Sequence, residues 1–289
     1  MYKKIKKRLL LIIALIIGSA ALFIHKNLVI YPNPNIIFQD SKQRVFEKTD
    51  VYKGWLCYQN NEISPNKNRP FKLFNWNIHK GVDNGWQNTL IESANNKDFV
   101  LLQEATSLQE IPQTLLHFKQ YLHLFAFEYQ QQKTGVLSLS SLDANLYCGN
   151  QLQEPLLQLP KVMSAMRFPL KNHRSLLLIN VHLINFEWHS QGNYQQQLNA
   201  LKALMQKHTG AIILAGDFNT WNEKRNKQLL ELITSEKLSK ISLKPDERST
   251  AFGYPLDHIF TRGITVHSAT SYSVKSSDHN PLELNFSLE

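Results

Sequence analysis

The chain has 289 residues, 43% of them hydrophobic and 19% charged, a globular balance that excludes a wholly disordered chain, a collagen and a multi-pass membrane protein. Its length suits one sizeable core with appendages, and two cysteines exclude a disulfide-dense mini-protein and a Cys-rich zinc site. The formal net charge is +9, but five positive charges are Lys3, Lys4, Lys6, Lys7 and Arg8, so the remainder has only a weak basic bias that names no partner.

After this basic cluster, Leu9 to Ile24 is an uncharged run of 16 residues, roughly 24 Å of helix at about 1.5 Å per residue. Extension through Lys26 to Leu28, Val29 and Ile30 would complete a bilayer span, with the Lys26 stem along the helix and its ammonium at the interface. Residues 1–30 are therefore read as a basic n-region followed by a membrane helix. A cleaved signal peptide is the alternative, because Gly18-Ser19-Ala20-Ala21 supplies small residues near a cleavage point. Either reading sends the rest of the chain out of the cytoplasm, anchored in the first case and secreted in the second. In an oxidising compartment Cys57 and Cys148 can pair, closing a loop of about 90 residues and stabilising by roughly 4–5 kcal/mol. Two separately buried thiols are the equal alternative.

Residues 31–70 contain the turn-rich Tyr31-Pro-Asn-Pro-Asn and Ser64-Pro-Asn-Lys-Asn-Arg-Pro70 and are read as a linker and edge segment. From Phe71 onward, short apolar runs read as strands: FKLFNWNI, DFVLLQ, GVLSLSSL, SAMRFPL, SLLLINVHL, AIILAGDF, LDHIF and PLELNFSL. Between them Tyr194 to His208 carries Leu198, Leu201, Leu204 and Met205 at helical spacing and stops at Gly210, and Trp86 to Asn96 predicts a shorter helix. Many strands with few helices predict an α/β domain over 71–289, with packed sheets inside and helices outside.

The polar residues fall at the ends of these runs. Asn77 ends FKLFNWN, Glu104 ends FVLLQE, His182 sits in LLLINVHL, Asp217 and Asn219 close AIILAGDFN, Asp257 opens DHIF, and Asp278-His279-Asn280 precedes PLEL. Singly, each has an ordinary structural explanation. Glu104 can be a solvated strand end, His182 a satisfied core histidine, and Asp217, Asn219 and Asp278 turn formers bonding their own backbone. Six strands that all carry metal-capable or proton-carrying groups to a terminus fit one polar cluster better.

In order along the chain, Phe74-Asn-Trp-Asn77, Leu102-Gln-Glu104, Asn180-Val-His-Leu183, Gly216-Asp-Phe-Asn219, Leu256-Asp-His-Ile-Phe260 and Ser277-Asp-His-Asn-Pro281 resemble the endonuclease/exonuclease/phosphatase superfamily over about 71–288. Gly135-Val-Leu-Ser-Leu-Ser and Asp278-His-Asn-Pro-Leu282 are most similar to a bacterial YafD-like branch. The resemblance implies two mixed β-sheets face to face with helices outside, a four-layer α/β sandwich, and Mg²⁺-dependent phosphoester hydrolysis with Mn²⁺ as the alternative ion. It implies that Glu104, Asn77 and Asp278 hold the metal. Asp217 would position or deprotonate water, Asn219 donate to phosphate, Asp257 hold His279, and His182 assist the leaving oxygen. The chemistry agrees: an anionic ester repels hydroxide, so a cation on its oxygens and an oriented water are needed.

The chain departs from the family pattern at several points. His79 stands where nuclease-type relatives carry a carboxylate, which lowers the expectation of DNA repair. Ser140-Ser141 replaces a Ser-Arg pair and removes a cation. His182 has no evident carboxylate partner, and His258 replaces an aromatic residue, as a hydrogen-bond partner or as packing. The leading expectation is a membrane-tethered phosphodiesterase or phosphatase acting on a nucleic acid or a phospholipid head group. A nuclease for DNA or RNA is the first alternative, and a noncatalytic, membrane-displayed binding module the second.

Overall fold

A computed structural model describes residues 2–49, 52–107, 115, 118–172, 174–187 and 191–289. One sheet has seven strands, ordered β1 (Leu28–Asp40), β6 (Gln120–Tyr129), β7 (Gln132–Ser140), β5 (Phe99–Ala105), β4 (Phe71–Asn77), β17 (Leu282–Leu288) and β16 (Ile264–Ser271). The other has eight, ordered β12 (Ser239–Lys240), β15 (Asp257–Arg262), β11 (Ala211–Asp217), β10 (Ser175–His182), β9 (Pro160–Pro169), β8 (Leu146–Gln153), β3 (Leu56–Gln59) and β2 (Glu47–Lys48). Both sheets are mixed, and β13 (Thr250–Ala251) and β14 (Tyr254–Pro255) form a separate antiparallel pair. Each of the two sheets has one parallel pair near its centre, β4 with β5 and β10 with β11, and a parallel pair needs a crossover. The crossovers contain α2 (Trp86–Ala94) and α3 (Gly192–Gln206), and α4 (Glu223–Ser235) follows β11.

Strand periodicity sorts the side chains into layers. Phe71, Leu73, Phe99, Leu101, Leu176, Leu178, Ile213, Ala215 and Phe286 meet between the sheets. Their sequence neighbours Phe74, Val100 and Leu102 pack on Leu90 and Ala94 of α2, while Leu177, Ile179, Ile212 and Leu214 pack on Leu198 and Leu201 of α3 and Leu229 of α4. The layers are therefore helix, sheet, sheet, helices. Strands buried on both faces read as continuous apolar runs such as SLLLINV, which is why their sequence signal is strong.

The N-terminal segment departs from expectation. Helix α1 (Tyr2–Asn27) ends before Leu28, and Leu28, Val29 and Ile30 instead pair with Tyr129, Glu128 and Phe127. The expected continuation of a membrane helix to Ile30 is thus replaced by the start of β1. Among the described residues no helix is long and apolar enough to cross a membrane. The side chains of residues 2–5, 7–11, 14, 17, 20 and 21, which include most of the basic cluster and part of the apolar run, lie outside the described ones. Residues 31–59, read as linker and edge, supply β1 at the edge of one sheet and β2 and β3 at the edge of the other. Pro32 and Pro34 are accommodated because β1 has no neighbour on one side among the described residues and its register shifts between Ile30 and Asn35. Cys57 and Cys148 face each other across β3 and β8 and form a disulfide.

Candidate active site

The topology brings the polar strand ends to one edge. β4, β5, β10 and β11 all point their C-terminal ends there, and the antiparallel β15 and β17 begin there. In open parallel sheets this is where ligand sites form. Alternation then decides which way each side chain faces. Asn77 continues the inward series of Phe71 and Leu73, His182 that of Leu176 and Leu178, Asp217 that of Ile213 and Ala215, and Asp257 shares a face with Ile259. Glu104 would face the α2 side with Val100 and Leu102. A bulge between Gln103 and Ala105, with Glu104 at φ 52°, makes it the extra residue and turns it toward His182. Gly216, at φ 139°, lets β11 approach β10 closely, since a Cβ there would lie 2.1 Å from the Val181 carbonyl oxygen.

Asp217 is the hub. His182 and Asp257 are its register partners on either side. Asn77 Nδ2 donates to Asp217 Oδ2 at 3.1 Å, and the Asn219 backbone N–H donates to Oδ1 at 2.9 Å. His279 Nε2 lies 3.9 Å from Oδ2 and His182 Nε2 3.6 Å from it. On its other side His279 Nδ1 is 2.6 Å from Asp257 Oδ2, while Trp76 Nε1 donates to the His279 carbonyl at 2.8 Å and fixes its backbone. Burial disfavours the His279 imidazolium, but Asp257 and its hydrogen bond, with Asp217 and Asp278, outweigh it and push the pKa up to about 10. The ring is charged at neutral pH. Burial pushes the Asp217 carboxyl above the usual range, against the pull of His279, which suits a proton acceptor.

Glu104 extends the cluster. Its Oε1 is 3.8 Å from His182 Nε2, and Lys80 Nζ is 2.8 Å from Oε2. Burial opposes its ionisation, but His182, Lys161 and Lys80 outweigh this and hold the pKa down at about 2. His182 is itself pushed down to about 4, by burial first and Lys161 second, so at pH 7 the two lysines supply the opposing charge. Lys161 Nζ donates to His182 Nε2 at 2.9 Å, which puts the ring proton on Nδ1. The hydrogen-bond partner of His182 is thus an ammonium, with the Asp217 and Glu104 carboxylates at 3.6 and 3.8 Å from the same Nε2. Among the described residues no group of three or more His, Cys, Asp or Glu is arranged to hold a metal. Glu104 Oε2 is nevertheless buried without a hydrogen bond of acceptable geometry, close to a cation. Among the described residues the Asn77 Oδ1 atom accepts only from the His79 backbone N–H, at 3.1 Å, leaving a second lone pair. A carboxylate and an amide oxygen are hard donors, and Mg²⁺ binds through one or two carboxylates plus water and phosphate oxygens. The donor set fits that ion.

Two expected roles shift. Asp278 stands at the rim of the cluster with its side chain 57% exposed and 3.8 Å from His79 Nδ1, near enough for its charge to favour the His279 imidazolium. Asn219, expected to donate to phosphate, directs Nδ2 at the Leu183 carbonyl at 2.9 Å and at Asp217 Oδ2 at 3.4 Å, so it holds Asp217. His258 is a hydrogen-bond partner: Arg248 Nη1 donates to its Nδ1 at 3.1 Å, and its Nε2 lies 2.8 Å from Thr220 Oγ1. Residues that sequence reasoning missed include Lys80, Lys161, Trp76 and Arg225. Fully buried Arg225 donates to the carbonyls of Ile184, Asn185, Glu187 and Asn219 and stacks on Tyr194 and Trp221, tying the ends of β10 and β11 together.

The profile of the Endonuclease/Exonuclease/phosphatase family matches residues 74–279, the span that holds every one of these groups. A UPF0294 protein of Vibrio parahaemolyticus is 32% identical over 285 residues, covering 98% of this chain and 99% of the relative. One from Vibrio vulnificus is 35% identical over 242 residues, 80% of this chain and 82% of the relative. Among solved structures, an endonuclease/exonuclease/phosphatase family protein from Bacteroides thetaiotaomicron superposes with a TM-score of 0.57 at 13% identity, over 77% of this chain and 99% of the other. The human Nocturnin catalytic domain does so with 0.56 at 16%, over 84% and 98%. Members of this family are typically hydrolases of phosphoester bonds. With the strand-end cluster, the sandwich and these likenesses in agreement, the chain belongs to the endonuclease/exonuclease/phosphatase family, among its UPF0294 proteins.

Proposed function

We propose that the protein is a Mg²⁺-dependent hydrolase of phosphoester bonds. The observation that carries this reading is the continuous chain Asp257–His279–Asp217–His182–Glu104, whose successive polar atoms lie 2.6 to 3.9 Å apart. Glu104 and Asn77 would hold the ion, and Asp278 would reach it through water. When bound, Mg²⁺ neutralises phosphoryl oxygens and lowers the cost of charge in the transition state. Asp217 takes a proton from the attacking water, oriented by Asn77 and Asn219. The charged His279 cannot act as a base near neutrality. Its Nε2–H instead donates to a phosphoryl oxygen, with Asp257 keeping the proton in place. His182, neutral, holds the Lys161 ammonium at the opposite side of the reacting centre.

The test is turnover of bis(p-nitrophenyl) phosphate by the full chain with Mg²⁺, Mn²⁺ or EDTA. Asp217→Ala and His279→Ala should each lower kcat by 10²-fold or more, as roughly 10²–10⁴ is typical for acid–base groups, with unchanged circular dichroism. Wild-type turnover in either variant would overturn the reading. We further propose that the domain acts outside the cytoplasm at a lipid surface. The Cys57–Cys148 disulfide supports an oxidising compartment. Exposed Leu15, Ile16, Leu22 and Ile24 on α1 support lipid contact. Thiol alkylation of intact cells and membrane fractionation test both points.

A further inference from the structure

Beside the cluster lies a cavity of about 290 Å³ that shares Glu104, His182 and Asp278 with it. Its lining carries two chemistries. The ammonium groups of Lys80 and Lys161 stand at the cluster, 2.8 Å from Glu104 Oε2 and 2.9 Å from His182 Nε2. Phe127, Leu157, Leu159, Val162 and Phe186 supply an apolar wall of the same cavity, with the buried carboxylate of Glu154 among them. This apolar wall is held in place. Buried Glu154 accepts from the backbone N–H groups of Asn185 and Phe186 at 2.8 Å each, and Arg225 grips the carbonyls of Ile184, Asn185 and Glu187 on the same segment.

The apolar lining continues to the surface. Leu157 of the lining is 50% exposed and its neighbour Leu156 63%, and Phe127 pairs across the sheet with half-exposed Ile30, three residues after α1 ends. A nucleic-acid strand would need further cations along its path, whereas among the described residues Lys80 and Lys161 are the only lysines or arginines in the lining, and both stand at the cluster.

We propose that this cavity is the subsite for an apolar substituent, so that the substrate is an amphipathic phosphoester: phosphate beside Lys80 and Lys161, alkyl or acyl chain along Phe127, Leu157 and Phe186. The inference rests on the hydrolase reading above. In the step itself the water oxygen bonds to phosphorus, the ester P–O bond breaks, and the leaving oxygen departs with the bonding pair. One water proton passes to Asp217 and on to solvent, the other stays on the new phosphate oxygen, and the leaving oxyanion takes a proton from solvent once released or, as p-nitrophenolate, leaves without one.

The test uses the full chain with Mg²⁺ and three diesters, methyl, butyl and octyl p-nitrophenyl phosphate, beside the p-nitrophenyl ester of thymidine 5′-phosphate. Each methylene that enters an apolar site favours binding by about three- to fourfold, so kcat/KM should rise at least tenfold from methyl to octyl. The octyl-to-methyl ratio, taken within each protein, should fall at least fivefold in Leu157→Asp and survive in Leu157→Met. Turnover of the methyl ester with no rise along the series, or preference for the thymidine ester over the octyl one, overturns this inference and leaves the hydrolase reading standing. No turnover of any ester overturns both.

Discussion

Replacing Asp257 by Asn separates charge from geometry at the His279 pair. The Asn side chain keeps an oxygen where Asp257 Oδ2 stands, 2.6 Å from His279 Nδ1, so the hydrogen bond survives while the negative charge is lost. In the native protein the imidazole rises from 6.5 to about 10 despite its burial. That rise corresponds to on the order of 5 kcal/mol in favour of the imidazolium, and Asp257 is the largest favourable contributor. Once it is neutral, burial dominates and His279 should titrate below 7. Because the folded pKa is raised, the pair stabilises fully below pH 6.5 and loses its contribution as pH climbs through about 10. Native stability should therefore slope downward between those limits, and Asp257→Asn should flatten the slope. Imidazole ¹⁵N chemical shifts followed with pH, and urea melts at pH 7, 8.5 and 10, measure both quantities. The alkaline limb of kcat/KM should move from near 10 to below 7. An Asp257→Asn protein whose His279 still titrates near 10 would refute the assignment of the shift to Asp257, and with it the fixed-donor role.

Three other outcomes follow from the same geometry. Glu104→Gln should abolish the rise in Tm on titrating MgCl₂ into the wild-type protein, because ion binding to the native state alone is what raises Tm; an equal rise in the variant would remove Glu104 from the metal. Cys57→Ser should cost about 4–5 kcal/mol on the loop-entropy account for a separation of 91 residues, read by urea unfolding against wild type with and without reductant, while leaving kcat intact since the bond joins β3 to β8 away from the cluster. Arg225→Met should destabilise by at least about 2 kcal/mol, because it takes away the guanidinium that the Ile184 and Asn219 carbonyls accept from, whereas Asn185 and Glu187 keep other donors; calorimetry showing less than about 1 kcal/mol would mean that water replaces it.

The strand ends were legible because alternation and position do most of the work. Asn77, His182, Asp217 and Asp257 each continue an inward apolar series at the end of a buried run, and both facts can be read along the chain. The edge elements were not. In β1 two prolines mimic a turn because an edge strand tolerates the missing donors. In β8 the sequence LYCGNQLQ hides a strand whose polar residues find partners elsewhere: buried Asn150 donates to the Lys53 carbonyl, and part-buried Gln151 to that of Tyr31.

Glu104 shows the limit most sharply. Strict alternation assigns it to the α2 face, and only the inserted bulge turns it to the site. A bulge depends on the partner strand, here Gly135 and Val136 of β7, and so on pairing that one segment does not encode. The cations follow the same rule. Lys161 opens an unremarkable strand and reads as a solvated charge, yet it meets His182 because β9 lies beside β10 in register, with Met163 opposite Val181. Lys80 meets Glu104 because β4 and β5 run parallel and end together, Asn77 opposite Gln103. Acceptors were therefore readable from a single strand each, whereas the donors that set their charge come from the neighbouring strand. That asymmetry explains why Lys80 and Lys161, the cations beside Glu104 and His182, emerge only from the sheet.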